Sequence, residues 1–200
     1  MFEAGRRFAR SAGAALRRGG LILVLAVTAG CAASPDTYRD PNMDFGSVQT
    51  VAVMPFVNLS KDQLANERVR DVFTTLLLGT GALYVVPQGE VARGITASSI
   101  AYAATPTPEE VVKFAKMTKV DAVITGVIRE YGEVRSGTAS SDVISVSMQM
   151  IEAQTGRVVW TASCTKGGIG FSDRLLGGGG RPLNDLTEKC LNEIITKLFE

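Results

Sequence analysis

Residues 48–57, VQTVAVMPFV, are almost continuously apolar and rich in β-branched side chains. A run of this length and composition favours a strand buried on both faces, as in the centre of an α/β sheet. In residues 66–78 the apolar positions recur at helical spacing, which predicts an amphipathic helix. A short strand at 84–87 and a further helical segment at 88–95 are expected to follow.

The second half of the chain opens with a clear helix start at 107–110, Thr-Pro-Glu-Glu. The threonine is a good N-cap, the proline suits the first turn, and Glu110 can close a capping box. Residues 120–133 begin apolar and then alternate in polarity, and residues 144–150 alternate throughout. Such alternation is typical of antiparallel strands with one exposed face.

A turn at 153–156 leads to the last predicted strand, in which Trp160 and Cys164 share one face. The closing helix carries an apolar stripe that includes Cys190, and we expect Trp160 to pack against it. The predicted order is therefore β-α-β-α-α-β-β-β-α. Early parallel pairing and late antiparallel hairpins indicate an α/β fold with a mixed parallel/antiparallel sheet and helices packed on it.

The chain begins with a segment of a different kind. Five arginines and a single acid precede the apolar run LILVLAVTAGC, which ends at Cys31. A basic region, an apolar region of about ten residues and small residues before a cleavage point define a secretory signal. The last four residues of the run, TAGC, resemble the bacterial lipobox. The alternative, a short transmembrane anchor, is disfavoured because a span needs ~20 apolar residues. We expect residues 1–30 to be a lipoprotein signal peptide and Cys31 to be the lipidated, palmitate-bearing N-terminus.

Residues 31–47 are rich in Pro, Asp and Ser and predict a lipidated N-terminus followed by a flexible tether. The alternative is that part of this segment docks on the domain through Tyr38, Met43 and Phe45. Residues 48–200 have the length of one domain, which we expect to be periplasmic.

Composition narrows the class of function. Residues 1–30 hold five of the 21 basic and one of the 20 acidic residues, so the remainder has 16 and 19. No run of like charge stands out, which disfavours a nucleic-acid partner. The chain has no histidine, the commonest general base and a common metal ligand. We therefore expect no catalytic residues, no metal and no cofactor.

Two motifs suggest chemistry but are explained more simply as connections. The tetraglycine at 177–180 lacks the GxxxxGK[ST] spacing of a phosphate loop and predicts a flexible connection. Residues 140–142, Ser-Ser-Asp, place hydroxyls beside a carboxylate but have no base to activate them. They predict the tip of a hairpin.

Cys164 and Cys190 are the two cysteines that remain once Cys31 is acylated. Both lie on the face assigned to the core, and export would place them in an oxidising compartment where a disulfide persists. Two small buried thiols are the alternative.

Three segments resemble a group of bacterial envelope proteins: TVAVMPFVNLS at 50–60, DAVITGVI at 121–128 and VSMQMIEAQTGRVVW at 146–160. They are similar to the curli-production assembly (CsgG) family, the N-terminal domain of TolB and the LpoB penicillin-binding-protein activators. The resemblance implies an anticodon-binding-domain-like α/β domain that is tethered in the periplasm and works through protein contacts. CsgG forms an oligomeric secretion pore with long inserted hairpins, whereas the connection predicted here at 135–142 is short and polar.

These observations lead us to expect an outer-membrane lipoprotein that faces the periplasm. Lipoproteins held at the inner membrane of enteric-type bacteria carry Asp after the cysteine, and here Ala32 follows it. The domain would be non-enzymatic and would scaffold or regulate an envelope assembly; the alternative is a component of an oligomeric CsgG-like export apparatus. The expected partners are the membrane, through the lipid, an envelope protein of unknown identity, and further copies of the chain.

A polar hairpin at 129–145 is the candidate partner surface, with Arg129, Glu133 and Arg135 as its charged residues. It is expected to lie beside the loop at 172–181. Both segments are candidates for partner contact because loops displayed on a rigid sheet commonly carry recognition. The alternative is that both segments are only solvent-facing connections.

Overall fold

The computed structural model describes residues 37–136, 139–168 and 181–200. Within these ranges no helix has the length and apolarity needed to cross a bilayer. The elements differ from the predicted order by two additional short strands, β1 and β3. In chain order they are β1 (Thr37–Arg39), β2 (Thr50–Val53), β3 (Val57–Asn58), α1 (Ala65–Gly79), β4 (Tyr84–Val85), α2 (Gln88–Ser98), α3 (Pro108–Thr118), β5 (Ala122–Ser136), β6 (Ala139–Glu152), β7 (Val158–Gly167) and α4 (Leu183–Phe199).

The strands form one mixed sheet in the order β1-β7-β6-β5-β2-β4, and β3 pairs with β5 beyond the end of β2. β2 is parallel to both β4 and β5, whereas β5, β6, β7 and β1 are antiparallel neighbours. The mixed sheet with helices packed on it, predicted from the sequence, is therefore confirmed.

The sheet has a core on each face. On one side α1 and α4 pack with Val51 and Val53 of β2, and on the other α2 and α3 pack with Ala52 and Met54. β2 is thus buried on both faces, as its continuous apolar run predicts. The strand is shorter than predicted because Pro55 has no N–H to donate to a sheet, and pairing resumes only at β3.

Strands β5 and β6 are longer than the sequence patterns predict. The expected strand ended at Glu133, with a hairpin tip at 140–142, but the ladder continues until Ser136 lies opposite Ala139. Residues 140–142 are paired within this ladder and are not its tip. Among the described residues, β7 pairs with β6 only as far as Val143, and beyond that point β6 is paired with β5 alone.

Part of the predicted tether belongs to the domain. Residues 37–39 pair with β7, and the Asp40 carboxylate, only 4% exposed, accepts a hydrogen bond from Arg157 at 3.2 Å. These contacts join residues more than a hundred positions apart, which is why local composition does not reveal them. Residues 37–40, which the sequence assigns to the tether, therefore pack on the domain.

Docking of the segment on the domain, the alternative to a free tether, is confirmed for Met43 and Phe45, which pack against the core beneath α1 and α4. Tyr38 remains 48% exposed. The Arg39 guanidinium lies 3.7 Å from the centroid of the Phe45 ring and donates a hydrogen bond to the carbonyl oxygen of Leu198 at 2.9 Å. Arg39 thereby satisfies a carbonyl in the last turn of α4.

Helix α4 is fixed to β7 at several points. Trp160 is fully buried, and its Nε1 donates to the carbonyl oxygen of Lys197 at 3.2 Å. This contact confirms the expected packing of Trp160 on the closing helix. A disulfide joins Cys164 to Cys190, with 5.7 Å between their Cα atoms.

Helix α3 begins with the predicted capping box. The Glu110 N–H donates to Oγ1 of Thr107 at 3.3 Å, and the Thr107 N–H donates to Oε2 of Glu110 at 2.8 Å. Gly156, in the turn between β6 and β7, has a φ of +70°, and a Cβ there would lie 2.6 Å from the carbonyl oxygen of Pro108. The glycine therefore lets the hairpin turn approach the first turn of α3.

Candidate contact surface

The outer part of the β5–β6 hairpin carries the three residues predicted to form a partner surface. Arg129, Glu133 and Arg135 are all exposed, and all three line one open groove of about 760 Å³. Arg129 and Glu133 lie in β5, within the strand predicted at 120–133. Arg135, predicted to lie in the connection at 135–142, is also part of the strand, because pairing with β6 continues to the last described residues of the hairpin. The surface is therefore more rigid than expected.

Arg129 occupies a β-bulge. Ile128 lies opposite Val146 and Glu130 lies opposite Ser145, so Arg129 has no cross-strand partner on β6. A bulge inserts one residue into a strand and changes which side chains and backbone groups point to each side. Beyond Arg129 the alternation of β5 is therefore shifted by one residue.

Glu133 and Arg135 form an ion pair along the strand. Nε and Nη2 of Arg135 donate to Oε2 of Glu133 at 3.0 and 2.8 Å. The hydrogen bond from Arg135 lowers the pKa of the Glu133 carboxyl, with a further contribution from the Ser140 hydroxyl, and Glu133 in turn raises the pKa of Arg135. An exposed pair adds little to stability, so its effect is to hold two opposite charges in fixed positions.

The other wall of the groove is the turn between β3 and α1, which the sequence patterns indicate only as the end of a strand. Leu59 in this turn is 66% exposed, and its N–H donates to the carbonyl oxygen of Ile128 at 2.8 Å. Nδ2 of Asn58 donates to the carbonyl oxygen of Asp62 at 2.7 Å and turns the chain away from β5. The sequence feature from which this side of the groove could have been predicted is Leu59, an apolar residue directly after the asparagine that ends β3.

The outer edge of β5 is open along the groove. β3 ends at Asn58 whereas β5 continues to Ser136, and in the described part of the chain no strand pairs with that edge beyond Ile128. An open edge presents unpaired backbone N–H and C=O groups and can accept a further strand. The groove can therefore bind an extended chain through backbone hydrogen bonds, with the charged side chains setting its register.

The remaining predicted sites lie elsewhere. Cys31, the tetraglycine and nearly all of the loop at 172–181 fall outside the described residues. The Cys164–Cys190 disulfide lies between β7 and α4 and is not part of the groove. Over residues 37–136, 139–168 and 181–200, no group of three or more Cys, Asp or Glu side chains is placed to hold a metal ion.

Comparisons with known proteins identify relatives of this fold. A family model described as peptidoglycan-synthase activator LpoB matches residues 27–164. A single-substitution variant of the PelC dodecamer from Paraburkholderia phytofirmans is similar, with a TM-score of 0.55 and 16% identity over 81% of this chain and 94% of that one. Lipoprotein GNA1162 from Neisseria meningitidis has a TM-score of 0.52 and 21% identity over 74% of this chain and 99% of that one. The comparison with curated proteins gave no match.

Proposed function

Because the chain belongs to the peptidoglycan-synthase activator LpoB family, we propose that it regulates a peptidoglycan synthase through protein contacts and is not itself an enzyme. The observation that carries this proposal is the β5–β6 hairpin, which holds charged side chains beside a strand edge that no other described strand covers. A rigid, exposed edge of this kind suits protein recognition. The family match names a synthase activator, and it gives no support to the CsgG-like export alternative.

The proposed location is the periplasmic face of the outer membrane. Acylation of Cys31 would anchor the chain, and the basic, apolar and small residues that precede it support a lipoprotein signal. Ala32 in place of Asp supports release to the outer membrane. Density-gradient separation of the two membranes tests this: wild type should fractionate with the outer membrane, and recovery with the inner membrane would contradict the proposal.

The groove beside Arg129, Glu133 and Arg135 is the proposed contact surface for the synthase. The similar PelC structures are dodecamers, which supports self-association as a second use of the protein's surface. Neither use requires a nucleophile, a metal or a cofactor.

The experiment measures the rate at which a purified peptidoglycan synthase from the same cell polymerises its lipid-linked substrate. Full-length acylated protein should raise that rate, and a variant with Arg129→Glu, Glu133→Arg and Arg135→Glu should not, because the charge pattern of the groove is reversed. The matched control is charge reversal of the exposed pair Glu90 and Arg93 on α2, whose side chains lie 3.9 Å apart.

Each outcome of this experiment bears on one part of the proposal. A synthase unaffected by the wild-type protein would contradict regulation of the synthase. A triple variant as active as the control would contradict the assignment of the surface. Turnover of a cell-wall substrate by the protein alone would contradict the non-enzymatic role.

A further inference from the structure

Three residues of β5 direct their backbone groups to the open edge. Ile128 accepts a hydrogen bond from Leu59, so before the bulge the even-numbered residues of β5 point their N–H and C=O groups away from β6. The bulge shifts this alternation by one residue. Beyond the bulge, the backbone N–H and C=O groups of Tyr131, Glu133 and Arg135 point to the open edge, and those of the residues between them bond to β6.

A second copy of this chain supplies a matching edge. Two identical edges pair antiparallel about a twofold axis, and outward-pointing residues must then lie opposite one another. An axis at Glu133 or at Arg135 would place two like charges opposite each other. An axis at Val134 instead places each Glu133 opposite Arg135 of the second copy.

The register centred on Val134 is favourable on both faces of the sheet. On one face each Glu133 carboxylate, already bound by its own Arg135 at 2.8 Å, would also meet Arg135 of the second copy. Opposite charges in directly facing positions stabilise a strand pair, and like charges destabilise it. On the other face the two half-buried Val134 side chains would meet at the axis, in a non-hydrogen-bonded pair where side chains approach most closely.

We propose that the protein forms a twofold dimer by antiparallel pairing of the β5 edges, centred on Val134. The two sheets then become one continuous sheet, with two intermolecular Glu133–Arg135 ion pairs across the junction. This inference rests on the proposed function only in that the candidate surface binds protein. The dimer occupies the surface assigned to the synthase, so self-association competes with synthase contact.

The position of the axis is tested with Val134→Cys in full-length acylated protein in its own membranes. With Cys31 acylated and Cys164 joined to Cys190, the introduced thiol is free to react with its counterpart. Mild oxidation should convert most of the chain to a disulfide-linked dimer, seen in non-reducing electrophoresis. Glu130→Cys is the matched control, since this residue lies on the same strand four positions from the axis. Dimer formation no greater for Val134→Cys than for Glu130→Cys would overturn the proposal.

The register is tested by charge exchange. Arg135→Glu places acids opposite one another at two positions and should lower the association constant about tenfold, measured by sedimentation of the full-length protein in detergent. Combining it with Glu133→Arg should restore the wild-type constant, whereas Arg93→Glu on α2 should have no effect. A folded double variant that associates as weakly as the single variant would overturn the register.

Neither readout measures synthase activity, so a failed dimer leaves the proposed function standing. The triple charge-reversal variant retains exchanged partners at positions 133 and 135. We expect it to dimerise normally while failing to activate the synthase, which separates the two proposals in one protein.

Discussion

Reduction of the Cys164–Cys190 disulfide should remove a large part of the stability of the domain. The two cysteines are 26 residues apart in sequence, and the loop-entropy relation for a cross-link of that span gives about 3.5 kcal/mol at 25 °C. Oxidised and reduced wild type contain the same side chains. The difference between their free energies of unfolding therefore reports the cross-link alone, without the cavity that a substitution would leave.

The assay is equilibrium unfolding of the full-length protein in urea, with and without reductant. The chain has a single tryptophan, and Trp160 lies fully buried against α4, so its fluorescence reports the region that the disulfide joins. The oxidised protein should also show a smaller m-value, because a cross-linked unfolded chain exposes less surface. The control is a variant with both cysteines replaced by alanine, whose unfolding should not respond to reductant.

A difference below about 1 kcal/mol between oxidised and reduced wild type would refute this reasoning. It would mean either that the two cysteines are unpaired thiols in the cell-derived protein or that the unfolded chain is already restricted between them. Mass spectrometry of the alkylated protein separates these two causes, because only free thiols would be modified.

Three further predictions concern the fold and the anchor. Trp160→Ala removes the largest fully buried side chain and should cost about 3–5 kcal/mol; a loss below about 1 kcal/mol in urea would contradict its packing on α4. Hydrogen bonds from Lys166 and Lys197 lower the pKa of Glu193 in the folded protein. The ionised carboxylate therefore stabilises the fold above the usual carboxyl pKa of about 4.3, and this contribution is lost as the pH falls through the lowered pKa. Glu193→Gln should reduce the loss of unfolding free energy at acid pH by less than about 1 kcal/mol, because the carboxylate is partly exposed. An unchanged dependence of stability on pH would contradict the pairing of Glu193 with the two lysines. Cys31→Ser should abolish palmitate labelling and membrane retention, and a labelled, membrane-bound variant would disprove acylation at this residue.

The parts of the fold predicted from sequence are those encoded by neighbouring residues. Thr107 and Glu110 are three positions apart and cap α3 as expected, because the capping box is closed within one turn. The alternation in 144–150 correctly indicates which side chains of β6 face the core. Trp160 follows the same rule on β7, since side chains on a strand alternate between the two faces.

The parts that were missed depend on distant pairs. β1 exists because Thr37–Arg39 meets β7, and the groove exists because β3 pairs with β5 and leaves Leu59 beside Arg129. The strand ends at 135–136 and 139–142 consist of polar or small residues, and Asp and Ala are depleted in strands, so their sequence resembles a loop. Backbone bonds to the facing strand keep them extended.

The early start of β1 limits how far the domain can move once it is acylated. Only five residues lie between Cys31 and Thr37, and even fully extended they span roughly 20 Å, against about 50 Å for the whole of 31–47. Acylated copies in one membrane would therefore diffuse within a thin layer instead of the full periplasmic volume. Because effective concentration rises as a linker shortens, a strand-edge contact too weak to persist in dilute solution would be well populated there. A chain released from its lipid would lose that advantage.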